Sequence, residues 1–120
     1  MKPRIEATSF GSITIGGRTI NHDVMLRLDG SVTKRKKKLS KALYGTSHII
    51  SLNEAKHVYE KGARLLIIGT GQYGLVELSD EATQYLEKHG CHVTAVPTPE
   101  AARAWNNAEG GVIGLFHVTC

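Results

Sequence analysis

Apolar and polar positions alternate at the start of this chain and change period near residue 50. Ile5 to Phe10 and Ser12-Ile13-Thr14-Ile15 read as strands, with Ile13 and Ile15 sharing one buried face. Gly16-Gly17 is a two-residue hairpin signal, and Arg18-Thr19-Ile20 returns from it. Val24-Met25-Leu26-Arg27-Leu28 forms a further strand, closed by the turn pair Asp29-Gly30. A long connection then carries a lysine run and Tyr44-Gly45-Thr46.

From Ser51 the spacing becomes helical. Ser51-Leu52-Asn53-Glu54 fits a capping box, in which serine serves the N3 amide and glutamate reaches back. That helix is expected to run to about Lys61 and to stop at Gly62 in a left-handed cap. Arg64 to Ile68 is short, apolar and partly β-branched, as a strand covered on both faces should be. A second helix starts at Ser79, buries Ala82, Tyr85 and Leu86, and ends at Gly90; His92 to Val96 is the next strand. Thr98-Pro99-Glu100 opens a third helix, with threonine as N-cap and proline at its favoured first position. Ala101, Ala102, Trp105 and Ala108 line one face of it, Gly110-Gly111 ends it, and Val112 to Val118 is a final apolar strand. Antiparallel strands followed by alternating helix and strand predict an α/β fold. The expectation is one three-layer domain over residues 1–120, with a central mixed sheet whose later strands are parallel. Helices would cover one face, and an antiparallel N-terminal hairpin region would extend or cover the rest.

At 120 residues the chain is long enough for a real core and too short for a two-domain enzyme. No apolar stretch approaches the ~20 residues that span a bilayer. Met1-Lys2-Pro3-Arg4 leads into a polar, strand-like segment rather than a signal region, so a cytosolic protein without membrane contact is expected. Cys91 and Cys120 make no disulfide framework, and neither carries a nucleophile motif. Charge changes the picture more. The net charge is +4, and Lys34-Arg35-Lys36-Lys37-Lys38 with Lys41 puts six positive charges in eight residues. Such a run wants water or an anionic partner. As a solvated loop it needs no function; as a polyanion contact it would let phosphates replace that water. No aromatic lies inside it for base stacking, which makes sequence-reading of a nucleic acid the weaker version.

Gly69-Thr70-Gly71-Gln72-Tyr73-Gly74 satisfies the Gly-x-Gly-x-x-Gly spacing of dinucleotide sites directly after a buried strand. That signature needs the glycines to open into a helix, yet Leu75-Val76-Glu77-Leu78 intervenes. No cofactor is therefore expected. A small-anion or nucleotide crevice remains open beyond the strand ends, built from Gly69, Thr70, Gly71, Gln72 and Gly74 with Thr98, His48 and His117. The same glycines equally suit a tight turn. His89-Gly90-Cys91-His92 straddles a helix end and lacks the four convergent ligands of a zinc site, so no metal is expected. Asp23 stands alone beside His22, and the carboxylates give no catalytic pair. No catalytic residue is assigned.

Phe10-Gly11-Ser12-Ile13 with Gly17, Asp23-Val24, Ile68-Gly69-Thr70-Gly71, Thr98-Pro99-Glu100-Ala101, Trp105-Asn106 and His117-Val118-Thr119-Cys120 together resemble a small domain family of unknown function. It includes mitochondrial complex I assembly factor three and the adipogenesis-associated protein of animals. The likeness spans nearly the whole chain and rests on order and spacing rather than on one motif. It implies a three-layer α/β fold, no established enzymatic activity, and action through protein partners. Lys34 to Lys38 and Tyr44 to His48 stand where eukaryotic members tend to carry tryptophan-bearing segments, so the chain looks more like the prokaryotic, archaeal branch. A complex I role does not transfer. The expected function is a non-enzymatic interaction or assembly module with an unidentified protein partner.

Overall fold

A computed structural model describes residues 2–120. The first three strands, β1 (Ile5–Ser9), β2 (Ser12–Ile15) and β3 (Arg18–Ile20), form an antiparallel sheet of their own. The main sheet holds β4 (Val24–Leu26), β5 (Val32–Lys34), β7 (Leu65–Thr70), β9 (His92–Val96) and β10 (Val112–His117), in the order β5-β4-β10-β7-β9. β7, β9 and β10 are mutually parallel, whereas β4 runs antiparallel to β10 and β5. Two residues each of β6 (Ile49–Ile50) and β8 (Glu77–Leu78) make a small parallel pair. The helices are α1 (Lys38–Tyr44), α2 (Leu52–Val58), α3 (Asp80–Lys88) and α4 (Thr98–Asn107). This is the three-layer α/β domain with a mixed sheet that the periodicity predicts.

The sheet separates two cores. Its side chains alternate between faces because strand residues point to opposite sides with period two. On one face, Met25, Leu66, Ile68, Ile113 and Leu115 pack with Ala55 and Val58 of α2 and Ala82 and Leu86 of α3. On the other, Val24, Leu26, Ile67, Val112 and Phe116 meet Ala101, Ala102 and Trp105 of α4 together with Ile5, Ile13 and Ile15. Helices therefore cover both faces rather than one, and the hairpin region lies beside α4. β10 is buried along its whole length because it feeds both cores.

Three local expectations change. The long basic connection folds into β5 and α1. The helix that opens at Ser51 ends early: α2 stops at Val58, and Tyr59 is extended at ψ 138°. The Glu60 carboxylate explains this departure, since it accepts from Leu28 N at 2.9 Å and Arg27 Nε at 3.1 Å and holds the chain against the β4–β5 turn. Gly62 then sits in a turn after the helix instead of capping it. Finally, β4 ends at Leu26, where Arg27 N donates to Ser31 O at 2.9 Å and the hairpin begins to close.

Trp105 is fully buried between layers, with its ring edge-on to Phe116 at 6.4 Å and its Nε1 donating to Pro3 O at 2.8 Å. Trp105→Ala is expected to cost ~3–5 kcal/mol by leaving a cavity and an unmade hydrogen bond. Thermal unfolding should then shift down by roughly 10–20 °C; a shift of a few degrees would mean that the second core closes over the gap.

Candidate functional site

The expected crevice residues do converge at the carboxyl ends of β7 and β10. Thr98 Oγ1 accepts from Gly71 N at 2.9 Å and donates to His117 O at 2.6 Å, tying three of them together. His48 meets His117 edge-on, with ring centroids 5.5 Å apart. Thr98 is the first residue of α4, and its hydroxyl bridges two strand ends instead of capping the helix.

The glycine turn, however, is filled by the chain itself. Gln72 N donates to Thr119 O at 2.7 Å, and Tyr73 N and Leu75 N both donate to Cys120 O, at 3.1 and 3.3 Å. Gly71, at φ +103°, lies so close to Cys120 that a Cβ would overlap its main chain. Gly69 backs onto Phe116 and Thr98, where a Cβ would come within 2.8 and 2.9 Å. Close approach thus accounts for Gly69 and Gly71, and a left-handed backbone at φ +70° for Gly74. An anion at Gly69–Gly74 would have to displace Thr119 and Cys120.

A denser polar constellation lies beside this turn, and it centres on a residue that looks isolated in sequence. Asp23, 1% exposed, just before β4, receives Arg35 Nη1 at 2.9 Å and His117 Nδ1 at 2.7 Å on one carboxylate oxygen, and Val118 N at 2.9 Å on the other. Arg35, 4% exposed, also donates from Nε to Glu54 Oε2 at 2.6 Å and from Nη2 to Glu54 Oε1 at 3.0 Å and Ser47 O at 2.8 Å. Glu54 further accepts from Ser40 Oγ at 2.5 Å. The capping box is half present: Ser51 Oγ accepts from Glu54 N at 3.1 Å, but the Glu54 carboxylate turns to Arg35 and Ser40 Oγ takes the Ser51 amide. Burial pushes the Asp23 carboxyl up, but the His117 hydrogen bond, the Val118 amide and the nearby His117 and Lys37 charges outweigh it and bring the group down to about 2. Burial opposes the Arg35 charge as well, and Glu54 and Asp23 overcome it, so the guanidinium is held more firmly charged than usual. Because ionised Asp23 can only accept, His117 Nδ1 carries a proton. In the neutral ring Nε2 is left to accept from Thr119 Oγ1, 3.0 Å away.

Arg35 is therefore a correction to the surface reading of the basic run: its guanidinium is buried and bonded to Asp23, Glu54 and Ser47 inside the protein. Lys34, Lys36, Lys38 and Lys41 are exposed, and Lys37 is half-buried with Nζ 3.7 Å from Asp23. One sequence signal could have revealed the pair. The turn pair Asp29-Gly30 signals a reversal after β4, and in the hairpin that forms the β4–β5 register brings the two together, with Arg35 N donating to Asp23 O at 3.1 Å. Sequence reasoning also missed the apolar surface at this end of the sheet. Phe10 is 59% exposed, Tyr73 73% and Leu75 56%, and the two rings lie 6.0 Å apart. Among the described residues no three His, Cys, Asp or Glu side chains are grouped to hold a metal ion, and no helix is long and apolar enough to cross a membrane.

Residues 5–113 match the family described as "Protein of unknown function (DUF498/DUF598)". A conserved hypothetical protein, PH1505 from Pyrococcus horikoshii OT3, is 29% identical, with a TM-score of 0.88 over 98% of this chain and 99% of that one. The protein named MT938 is 33% identical, with a TM-score of 0.83 over 99% and 100%. A Bordetella pertussis protein described as a Mth938-like domain is 20% identical with a TM-score of 0.62 over 97% and 85%, and shares the fold.

Arg35→Ala should cost about 3–5 kcal/mol, because it leaves buried Glu54 without its ion-pair partner and takes one from Asp23. Arg35→Lys should not restore stability, since an ammonium cannot reproduce the fork on Glu54. The sign of the acid response follows from Asp23, whose folded value of about 2 lies below the ordinary 3.8. Its contribution, about 2 kcal/mol, is complete above roughly pH 4 and fades as the pH falls toward the folded value. In urea melts the stability gap between wild type and Asp23→Asn should shrink by about 1.5 kcal/mol on going from about pH 6 to about pH 2.5. A gap that does not change would mean the carboxyl is not held ionised by these partners.

Proposed function

The chain belongs to the DUF498/DUF598 family of unknown function, and from that premise we propose that it is a non-enzymatic interaction module whose contact face is the carboxyl end of its sheet. The observation that carries this reading is the rigid display of Phe10, Tyr73 and Leu75. Aromatic anchors dominate protein interfaces, and their worth rises when they are already ordered before binding. Here the backbone beneath them is hydrogen-bonded in place. Gly11 N, next to Phe10, donates to Val118 O at 2.7 Å, and Tyr73 and Leu75 share the Cys120 oxygen through their amides. The polar groups behind them support the same reading, because Asp23, Arg35, Glu54 and His117 are buried and spent on one another. The resemblance to relatives that act through protein partners points the same way.

A photo-crosslinking amino acid incorporated at position 73 should capture a defined protein in cells that make this chain. Phe10→Ala should reduce that capture at least about tenfold, as loss of an interface anchor does. The same probe at Arg18, exposed in β3 beside the Gly16-Gly17 turn, should capture nothing in common with it. Identical products from both positions would overturn the assignment of this face.

A further inference from the structure

The lysine run is the feature that the contact face leaves unused. Lys34, Lys36, Lys37 and Lys38, with His22, border an open groove of about 640 Å³ whose floor is Asp23 and Arg35. Three observations separate this groove from an ordinary solvated basic loop.

The first is that the backbone beneath the lysines is fixed. Lys34 belongs to β5, in register with Val24, and Lys38 opens α1. Between them the Arg35 side chain is locked by four hydrogen bonds to Asp23, Glu54 and Ser47. A mobile loop would let like charges separate into solvent. Here one buried guanidinium gathers the roots of four ammonium groups around one opening.

The second is the charge balance. Asp23 and Glu54 contribute two negative charges, and Arg35 with the four lysines contributes five positive ones, a surplus of +3 at one place before any histidine is counted. Among the described residues, Lys37 is the one of these four that approaches a carboxylate, at 3.7 Å, and its side chain is still 39% exposed. The remaining ammonium groups repel one another, and an anion seated among them relieves that repulsion.

The third is the shape and lining. The volume falls in the range of small-molecule sites. Ammonium groups on flexible stems suit phosphate oxygens as point charges, without the planar geometry that a carboxylate fork would reward. Among the described residues no Phe, Tyr or Trp lines the groove, so the stacking platform of a single-strand nucleic-acid binder is missing from it.

We propose that this groove is a binding site for a compact oligophosphate, either an inorganic triphosphate or the phosphate chain of a nucleotide. The site is distinct from the Gly69–Gly74 turn, and it uses none of Phe10, Tyr73 and Leu75. Its failure would leave the contact face untouched.

The test is an amide-resolved NMR titration of the full chain with sodium triphosphate, then ATP, a twelve-nucleotide RNA and a glutamate-rich peptide, at two salt concentrations. Triphosphate should give saturable shifts centred on Asp23 and residues 34–38, and binding should weaken several-fold at the higher salt. ATP should shift the same amides, and tighter binding than triphosphate would identify a nucleotide as the source. The double variant Lys36→Gln/Lys38→Gln changes two exposed side chains, so it should keep the amide spectrum of the fold and bind about tenfold more weakly. Lys61→Gln, exposed in the turn after α2, should bind as wild type does. Shifts centred on Gly69–Gly74, non-saturating shifts, or equal losses in the Lys61 variant would overturn the proposal. So would RNA or peptide binding at residues 34–38 with no response to triphosphate.

Discussion

The buried pairing of Arg35 with Asp23 and Glu54 is the constraint on which the rest of this structure depends. Three charged groups have been taken out of water, a costly step unless every lone pair and proton finds a partner. The partners come from six separate places: the entrance to β4, the exit of β5, the Ser47 loop, α1 through Ser40, α2 through Glu54, and the end of β10 through His117 and Val118. None of these pieces can drift without orphaning a buried charge. The network thus fixes the relative placement of elements that share little apolar contact, above all α1, which buries the polar Ser40 rather than an apolar side chain. Its main return is a specified arrangement, since apolar replacements for such clusters can match them in stability.

Most of the architecture could be read from the chain because the governing signals are local. The Ser51 and Ser79 caps, the period-two run of Ile13 and Ile15 and the apolar strand before Gly69 report burial within a few residues of themselves. The misreadings share a cause, which is that a distant partner decides. Glu60 ends α2 early because it serves the β4–β5 turn, and Thr98 abandons the capping role because two strand ends need its hydroxyl. Arg35 was hidden by its company. Lysines on either side make it look solvated, and only the pairing of β4 with β5 shows that it faces Asp23. In the glycine-rich turn the tight-turn alternative has a concrete basis, because the chain's own backbone presses against Gly71.

One end of the sheet consequently carries three kinds of surface within a short distance. There are rigid aromatics, a rim of ammonium groups and, behind both, a sealed layer of paired charge. The sealed layer fixes the backbone from which the other two project. Exposed phenyl and ammonium groups are ordinarily among the more mobile parts of a small protein, but here each stands on a turn or strand end that is hydrogen-bonded into the interior.

The place of β10 also governs the order in which this protein can be assembled. The strand lies in the middle of the sheet, yet it follows every other element in the sequence: Phe116 pairs with Val24 on one side and with Gly69 on the other. Until residues 112–117 are available, β4 and β7 have no shared neighbour, and each presents an open, apolar strand edge. Sheets closed by such long-range pairing fold slowly, and their unpaired edges invite association with other chains. Copies are therefore most open to mispairing until residues 112–117 enter the gap prepared for them.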